Sequence, residues 1–440
     1  MFRSLDSIER YYVCRNDNNI YSNFAITSKY SKPLTKELIS QTLVQLCELY
    51  PVFVSTFSNK GTDKDCNDYI LESVNELLFD DVVITVDQPF SEEQLKFVNE
   101  IRCSANEGKP TWRLVLFNDN YLTFLCDHAL FDGQSGMNFH IEFCKIVSTI
   151  VDPKFVERIY VKHQDFHPPP KTEDIIDLFK VSWVDYLKAY LKKLVPKFLS
   201  QWLSYPFLIK YPLFKESHPK SIYSNYKIIN IPHDQLEDLL SILKFNGVSL
   251  TAFLNVFLHY CLQNTILPSL TTQLSSVLSS IPISGRRYYS PFKESKFRFM
   301  ISAVDIILAP ITAINDNWWP IIKHINKEIN NQVKSRDIFR HPPIHSPYQY
   351  IAPDKPNTCV PLYELSNLGF NNVSFGEWSL TDVVFSQCIG ITNTFGFTVA
   401  STPNSMNIVF SYLDEYGHCP NENFVTFFKD SMVKFITNNR

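Results

Sequence analysis

The sequence predicts a mixed α/β protein, and three observations carry that expectation. Residues 112–126 read as a hairpin. Trp112-Arg113-Leu114-Val115-Leu116-Phe117 and Tyr121-Leu122-Thr123-Phe124-Leu125-Cys126 are rich in β-branched and aromatic residues, and Asn118-Asp119-Asn120 between them favours a turn. Directly downstream, Met137, Ile141, Cys144 and Val147 recur every three or four residues, the spacing of a helix with one buried face. Hydrophobic residues at 45% and charged residues at 20% of 440 describe a globular chain able to bury a large core. Periodicity alone does not separate α/β from α+β. There is no internal repeat and no low-complexity tract.

In chain order, residues 8–30 read as an opening strand anchored by Tyr11, Tyr12 and Val13. A helix is predicted from about Thr35, with Leu38, Ile39, Leu43, Leu46 and Tyr50 inward and Pro51 ending it. Val82 to Val86 is a short strand. Ser91-Glu92-Glu93-Gln94 has the form of a capping box, opening a helix with Leu95, Val98 and Ile101 inward. Residues 1–160 thus form a first subdomain.

Residues 161–220 form a linker. Pro168-Pro169-Pro170 is stiff, and Phe179, Trp183, Tyr186, Leu187, Tyr190, Leu191 and Leu194 make an apolar helical face opposite Lys188, Lys192 and Lys193. An aromatic tract salted with lysines continues to Lys215, so 183–215 has the composition of a helix lying in a membrane interface. Residues 221–440 form the second subdomain. Its predicted elements are a strand over 222–231, a helix with Leu236, Leu239, Leu240 and Leu243, and a strand over 276–284. A further helix carries Trp318, Ile322, Ile325 and Ile329, and the stretch 378–414 is strand-rich. Val248 to Leu267 is uncharged, yet Asn255, His259 and Gln263 would line one helical face, which suits a buried helix better than a membrane span.

A net charge of -4 gives no reason to expect a nucleic-acid partner. Ten cysteines without a Cys-x-x-Cys pair predict reduced, mostly buried thiols. The start of the chain, Met1 to Asp6, lacks the apolar run of a signal peptide, so the expected place is the cytoplasmic side, peripheral on endoplasmic reticulum or lipid droplets. Gly133-Gln134-Ser135-Gly136 lacks the Gly-x-Ser-x-Gly spacing of a hydrolase elbow. The pairs His163/His167 and His341/His345 adjoin prolines and do not suit a helical metal site; no metal is expected.

The stretch that carries chemistry is Asp127 to Gly133. The hairpin would deliver His128 at the end of a buried strand, and Gly133 would let the backbone bend sharply before the next helix. A base with a pKa near 6.5 can take a proton from an alcohol as it attacks a thioester, contributing on the order of a hundred- to ten-thousand-fold in rate.

DHALFDG, preceded by KPTWRLVLF, resembles the His-x-x-x-Asp-Gly motif of the CoA-dependent acyltransferase superfamily, which includes chloramphenicol acetyltransferase, the plant BAHD enzymes and condensation domains. LDSIERYYVCR, IYSNF, TAFLNVFLHYCL, IPISGRRY, SNLGF and FSQ occur in matching order, and the set is most similar to the fungal alcohol acetyltransferase family. The resemblance implies two chloramphenicol-acetyltransferase-like subdomains with mixed sheets and an active-site tunnel between them. It implies His128 as catalytic base and Asp132 as a loop-orienting residue bridged to an arginine, with Gly133 beside it. By its place in ISGRRY that arginine is Arg286, although relatives typically carry Asn-Leu-Arg where this chain has Ser284-Gly285-Arg286. Ser366, Asn367, Ser386 and Gln387 are candidate oxyanion or substrate contacts by position in the family-like segments. The implied co-substrate is acetyl-CoA, with no bound cofactor, and the expected acceptor is the hydroxyl of a small lipophilic alcohol. Two alternatives stand beside it: N-acetylation of a long-chain, sphingoid-like amine, and a non-catalytic membrane-binding protein on a decayed scaffold.

Overall fold

The computed structural model describes residues 2–20, 22–195, 223–272, 275–289, 295–311, 318–340, 344–351, 361–389 and 392–439. Two six-stranded sheets dominate it. The first runs in the order Ser374–Phe375, Trp378–Gln387, Asn23–Tyr30, Tyr121–Asp127, Trp112–Phe117, Val83–Val86. The second runs Ser224–Pro232, Ser405–Leu413, Phe395–Ser401, Tyr363–Phe370, Val277–Ser284, Ile301–Leu308. Each mixes parallel with antiparallel pairs: Val83–Val86 lies parallel to Trp112–Phe117, and Tyr363–Phe370 lies parallel to both of its neighbours. The mixed α/β expectation holds, in two sheet-bearing halves.

The halves are stitched rather than merely apposed. Trp378–Gln387, from the C-terminal part of the chain, pairs with Asn23–Tyr30 and so belongs to the first sheet. Residues 374–387 therefore sit apart from the sheet of the 221–440 segment. Period-two alternation shows that a stretch is a strand but not which sheet edge it will join.

The hairpin forms as its composition predicts, with Asn120 at φ 67° closing the turn. Around it Phe53, Trp112, Phe124, Phe131 and Phe139 pack into the first core, where Phe124 and Phe139 stack with centroids 4.3 Å apart. The second core surrounds the helix Leu250–Thr265, against which Trp318, Phe428 and Phe435 pack. Asn255, His259 and Gln263 are buried on it. Asn255 accepts from the Tyr363 hydroxyl at 2.8 Å and His259 donates to the Ala309 carbonyl at 3.1 Å, so the polar stripe is an internal clamp. No single described helix is long and apolar enough to cross a membrane.

Two local expectations fail, and one helix was not foreseen. Residues 7–17 are a helix, Ser7–Asp17, and the strand begins only at Asn23. Asp6 Oδ1 accepts from the backbone N–H groups of Ile8 (3.0 Å) and Glu9 (2.8 Å) while Glu9 Oε2 accepts from Asp6 N at 2.8 Å. That reciprocal cap outweighs the strand preference of Tyr11-Tyr12-Val13. The helix Glu92–Glu100 forms without a cap from Ser91, because Gln94 donates to Gln88 and Glu92 accepts from Ile228 N at 2.8 Å. The C-terminal helix Asn421–Asn439, which buries Phe424, Phe428 and Phe435, has no counterpart among the predicted elements.

In the linker, Trp183–Leu194 is a helix whose apolar side chains stay exposed: Trp183 at 74% and Tyr190 and Leu194 at about 60%. The lysine side chains expected opposite (Lys188, Lys192, Lys193) and the tract 196–215 lie outside the described residues.

Candidate active site

The histidine strand ends at Asp127, whose buried carboxylate shapes the turn into the loop. It accepts from Ser22 Oγ (2.7 Å), Asn16 Nδ2 (3.1 Å) and the backbone N–H of Ala129 (2.9 Å), which bends the chain immediately after the strand. His128 Nδ1–H then donates to the Phe131 carbonyl at 3.1 Å. Because a carbonyl can only accept, that bond fixes the tautomer and leaves Nε2 with its lone pair. Phe24 stacks on the imidazole at 4.5 Å, and Tyr12 and Phe299 complete an aromatic collar at 5.3 and 5.9 Å.

The ring is 7% exposed and lines a cavity of about 120 Å³. Burial lowers the His128 pKa to about 4, with the Phe131 hydrogen bond opposing and the Arg15 charge adding to the shift. The imidazole is therefore neutral at physiological pH, the state a base requires. Beyond the collar lies a second cavity of about 240 Å³, lined among others by Ala129, Leu130, Phe297 and Phe299 and sharing Ile301 with the first.

Asp132 and Arg286 meet as the resemblance implies. Arg286 donates to Asp132 Oδ2 at 2.7 Å, the two side chains being 7% and 0% exposed. Asp132 also caps the helix Gly133–Val147 through Ser135 N (2.8 Å) and accepts from Met300 N (2.9 Å). Arg286 spends its remaining donors on Ser135 Oγ and the carbonyls of Ser295 and Arg298. Neither group touches the imidazole by a hydrogen bond, so the pair holds the loop.

Gly133 is needed for a reason other than the expected one. It is the first residue of its helix, outside the left-handed region, and a Cβ there would lie 3.1 Å from Leu368 Cδ2 and Phe385 Cζ. Space, rather than backbone freedom, is what it supplies. Ser366, Asn367 and Gln387 line the His128 cavity. Asn367 is partly engaged, donating to Thr251 Oγ1 at 3.2 Å and accepting from Gly369 N. Ser386 is not at the site. Strand alternation turns it into the protein, where it accepts from Asn99 Nδ2 at 2.9 Å. Among the described residues no group of three His, Cys, Asp or Glu side chains could hold a metal ion.

Sequence reasoning missed Glu364, Arg15 and Tyr12, which share the cavity with His128. Burial raises the Glu364 pKa to about 7 against the lowering effects of the Gln387 hydrogen bond and Arg15, while Asp305 raises it further. The available signal was a glutamate between Tyr363 and Leu365, two residues before Ser366 on the same strand.

With this geometry in place, the sequence profile of the family described as alcohol acetyltransferase matches residues 4–432. The chain belongs to the alcohol acetyltransferase family. N-acetyltransferase SLI1 of Saccharomyces cerevisiae is 24% identical, over 93% of this chain and 94% of its own length. Alcohol O-acetyltransferase 2 of the same yeast is 21% identical over 73% and 72%. The fold is shared with TRI3 trichothecene 15-O-acetyltransferase from Fusarium sporotrichioides, at a TM-score of 0.67 and 12% identity over 100% of this chain and 95% of that one. The first condensation domain of the calcium-dependent antibiotic synthetase matches at a TM-score of 0.63 and 12% identity, over 99% and 95%. This member of the family is thus an acetyltransferase built on the condensation-type two-sheet scaffold.

Proposed function

We propose that this family member moves an acetyl group from acetyl-CoA to the hydroxyl of a lipophilic alcohol, with neutral His128 as general base. The observation that carries the reading is the His128 imidazole, its tautomer set by Phe131 and its Nε2 left free on a buried ring that lines a cavity. The acceptor O–H hydrogen-bonds to Nε2 and passes its proton there as oxygen attacks the thioester carbonyl. Ser366, with a hydroxyl on the cavity wall, is the candidate donor to the developing oxyanion, with Asn367 beside it. As the C–S bond breaks, the imidazolium returns the proton to the CoA sulfur. Transfer is direct. Cys388 is the cysteine on the cavity wall, and burial pushes its thiol up to about 12, so it supplies no thiolate.

A second reading, N-acetylation of a long-chain amine, is favoured by Glu364 in the same cavity and by the N-acetyltransferase among the relatives. The exposed apolar face of Trp183–Leu194 supports peripheral contact with a lipid surface, from which a lipophilic acceptor would arrive. Thiol release from acetyl-CoA with a panel of alcohols and amines tests the reaction. Release with alcohols that is lost in His128→Ala is the expected result. A well-folded protein that releases thiol with none of them would instead be a membrane-binding protein. Liposome flotation should weaken when Trp183, Tyr190 and Leu194 are replaced by serine; unchanged flotation removes the lipid contact.

A further inference from the structure

Glu364 has no role in the proposed acetyl transfer to an alcohol. It nevertheless lies on the wall of the cavity that holds His128. Gln387 Nε2 donates to Oε1 at 3.2 Å, and that is the sole hydrogen bond to this carboxylate among the described residues. Oε2 has no donor among them, and the side chain is half-buried on the cavity wall. A carboxylate held partly out of water on a cavity wall gains from a proton or a cation beside it, because desolvating an unpaired charge is costly.

The surrounding charges come from several elements. Arg15, on the first helix, shares the cavity, with its guanidinium over the Tyr11 and Tyr12 rings at 5.7 and 5.5 Å. Asp305, on the strand Ile301–Leu308, works against it, and His128 is neutral. Burial and Asp305 outweigh the Gln387 hydrogen bond and the Arg15 charge, leaving the carboxyl near 7. Tyr12 stays an un-ionised phenol, its pKa raised by burial. A positively charged group brought in by a ligand would complete the site.

We infer that Glu364 binds an ammonium group carried by the acceptor, so that this site selects amino alcohols over the matching neutral alcohols. The inference rests on the reading that the His128 cavity receives the acceptor head. The ammonium would make a charge-assisted hydrogen bond to Oε2 while the neighbouring hydroxyl meets Nε2. Protons balance as before: the ammonium keeps all of its own, and the hydroxyl proton goes to His128 and then to the CoA sulfur. A neutral alcohol leaves Glu364 without a partner and gains nothing from it.

The test compares kcat/KM for dodecanol and for its vicinal amino alcohol analogue, in wild type, Glu364→Gln and Glu364→Asp, about one pH unit above the Glu364 pKa of about 7. The readout is the ratio between the two acceptors, which a general loss of folding leaves alone. Wild type should prefer the amino alcohol by about tenfold or more, through KM. Glu364→Gln should bring the ratio near unity, and Glu364→Asp, which keeps the charge, should retain part of it. Lowering the pH below the Glu364 pKa should shrink the wild-type ratio as well. A wild type with no preference, or a Glu364→Gln protein that keeps the full preference, overturns the inference.

Calorimetric binding of dodecylamine against dodecanol separates this idea from the catalytic reading. Glu364-dependent amine binding without any acetyl transfer would uphold the ammonium site and refute the proposed reaction. Amine binding equal in wild type and Glu364→Gln would overturn the ammonium site, whatever the activity.

Discussion

Replacing Asp132 with alanine should damage the fold before it damages the chemistry, and the structure sets the size of the effect. Asp132 accepts four hydrogen bonds: from Ser135 N, Ser135 Oγ, Met300 N and Arg286. Stranding a buried partner charge typically costs about 3–5 kcal/mol, and losing a helix cap about 1 kcal/mol more. Ser135 belongs to both networks, so the two figures overlap, and about 4 kcal/mol is the expected total. Arg286→Met should cost less, because Asp132 would keep three donors from Ser135 and Met300. The double variant should be less destabilised than the sum of the singles by about 0.5–3 kcal/mol, the usual coupling of groups in contact. Denaturant midpoints monitored by tryptophan fluorescence give these values, and thiol release measured well below each midpoint reports the remaining activity. The reasoning is refuted if Asp132→Ala unfolds at the wild-type midpoint yet loses activity. In that case the carboxylate acts on the reaction and not on the loop.

The same geometry sets three further outcomes. His128→Ala should lower kcat with alcohols by about a hundred- to ten-thousand-fold and less with amines, which need less help losing a proton; a drop below about tenfold with alcohols would place the base elsewhere. Gly133→Ala should destabilise by about 1–3 kcal/mol, since its Cβ would press on Leu368 and Phe385, and a wild-type midpoint would show that both side chains can yield. His140 is buried with its pKa lowered to about 4 by desolvation, the Ile26 carbonyl opposing the shift. Between about pH 6.5 and 4 the unfolded chain therefore binds a proton there that the folded chain does not, and stability is lost as pH falls through that window. Wild type should lose up to about 3 kcal/mol more than His140→Gln across it, read as denaturant midpoints; parallel curves would show that His140 titrates normally when folded.

Much of this molecule was legible where local signals agree with one another. The hairpin, the capped helix Lys36–Leu49 and the buried helix Leu250–Thr265 each had pattern, length and punctuation pointing the same way. The first helix misled because its apolar residues Tyr11-Tyr12-Val13 favour strand while its real determinant, the Asp6–Glu9 cap, lies just before them. His128, Asp132 and Arg286 were readable through a motif, since a loop and its clamp leave a fixed spacing. Glu364 was not, because a wall residue owes its place to sheet register. It lines the cavity from Tyr363–Phe370 in the second sheet, and its one hydrogen-bond donor among the described residues, Gln387, ends a strand of the first sheet. Ser386 failed by the same logic, one residue away from Gln387 and so on the opposite face.

The segment Ser295–Met300 ties the His128–Asp132 loop to the second cavity. Its backbone meets Ser135, Asn138 and Asp132, and Lys296 pairs with the buried Glu142 at 2.8 Å. The same six residues place Phe297 and Phe299 on the wall of the second cavity, and Phe299 is the ring that closes against His128 and Tyr12. A ring that lines the second cavity and packs on His128 of the first should hold water away from a thioester bound beside that histidine. Phe299→Ala would remove that ring while leaving the backbone contacts of the segment in place. Water could then reach Nε2 in the acceptor's position, and acetyl-CoA should be hydrolysed in the absence of any alcohol, giving acetate and free thiol. The expected signature is acceptor-independent thiol release that rises in Phe299→Ala and disappears again in Phe299→Ala combined with His128→Ala. Release that persists without the histidine, or a Phe299→Ala protein as tight against water as wild type, would show that the ring is not what keeps the thioester dry.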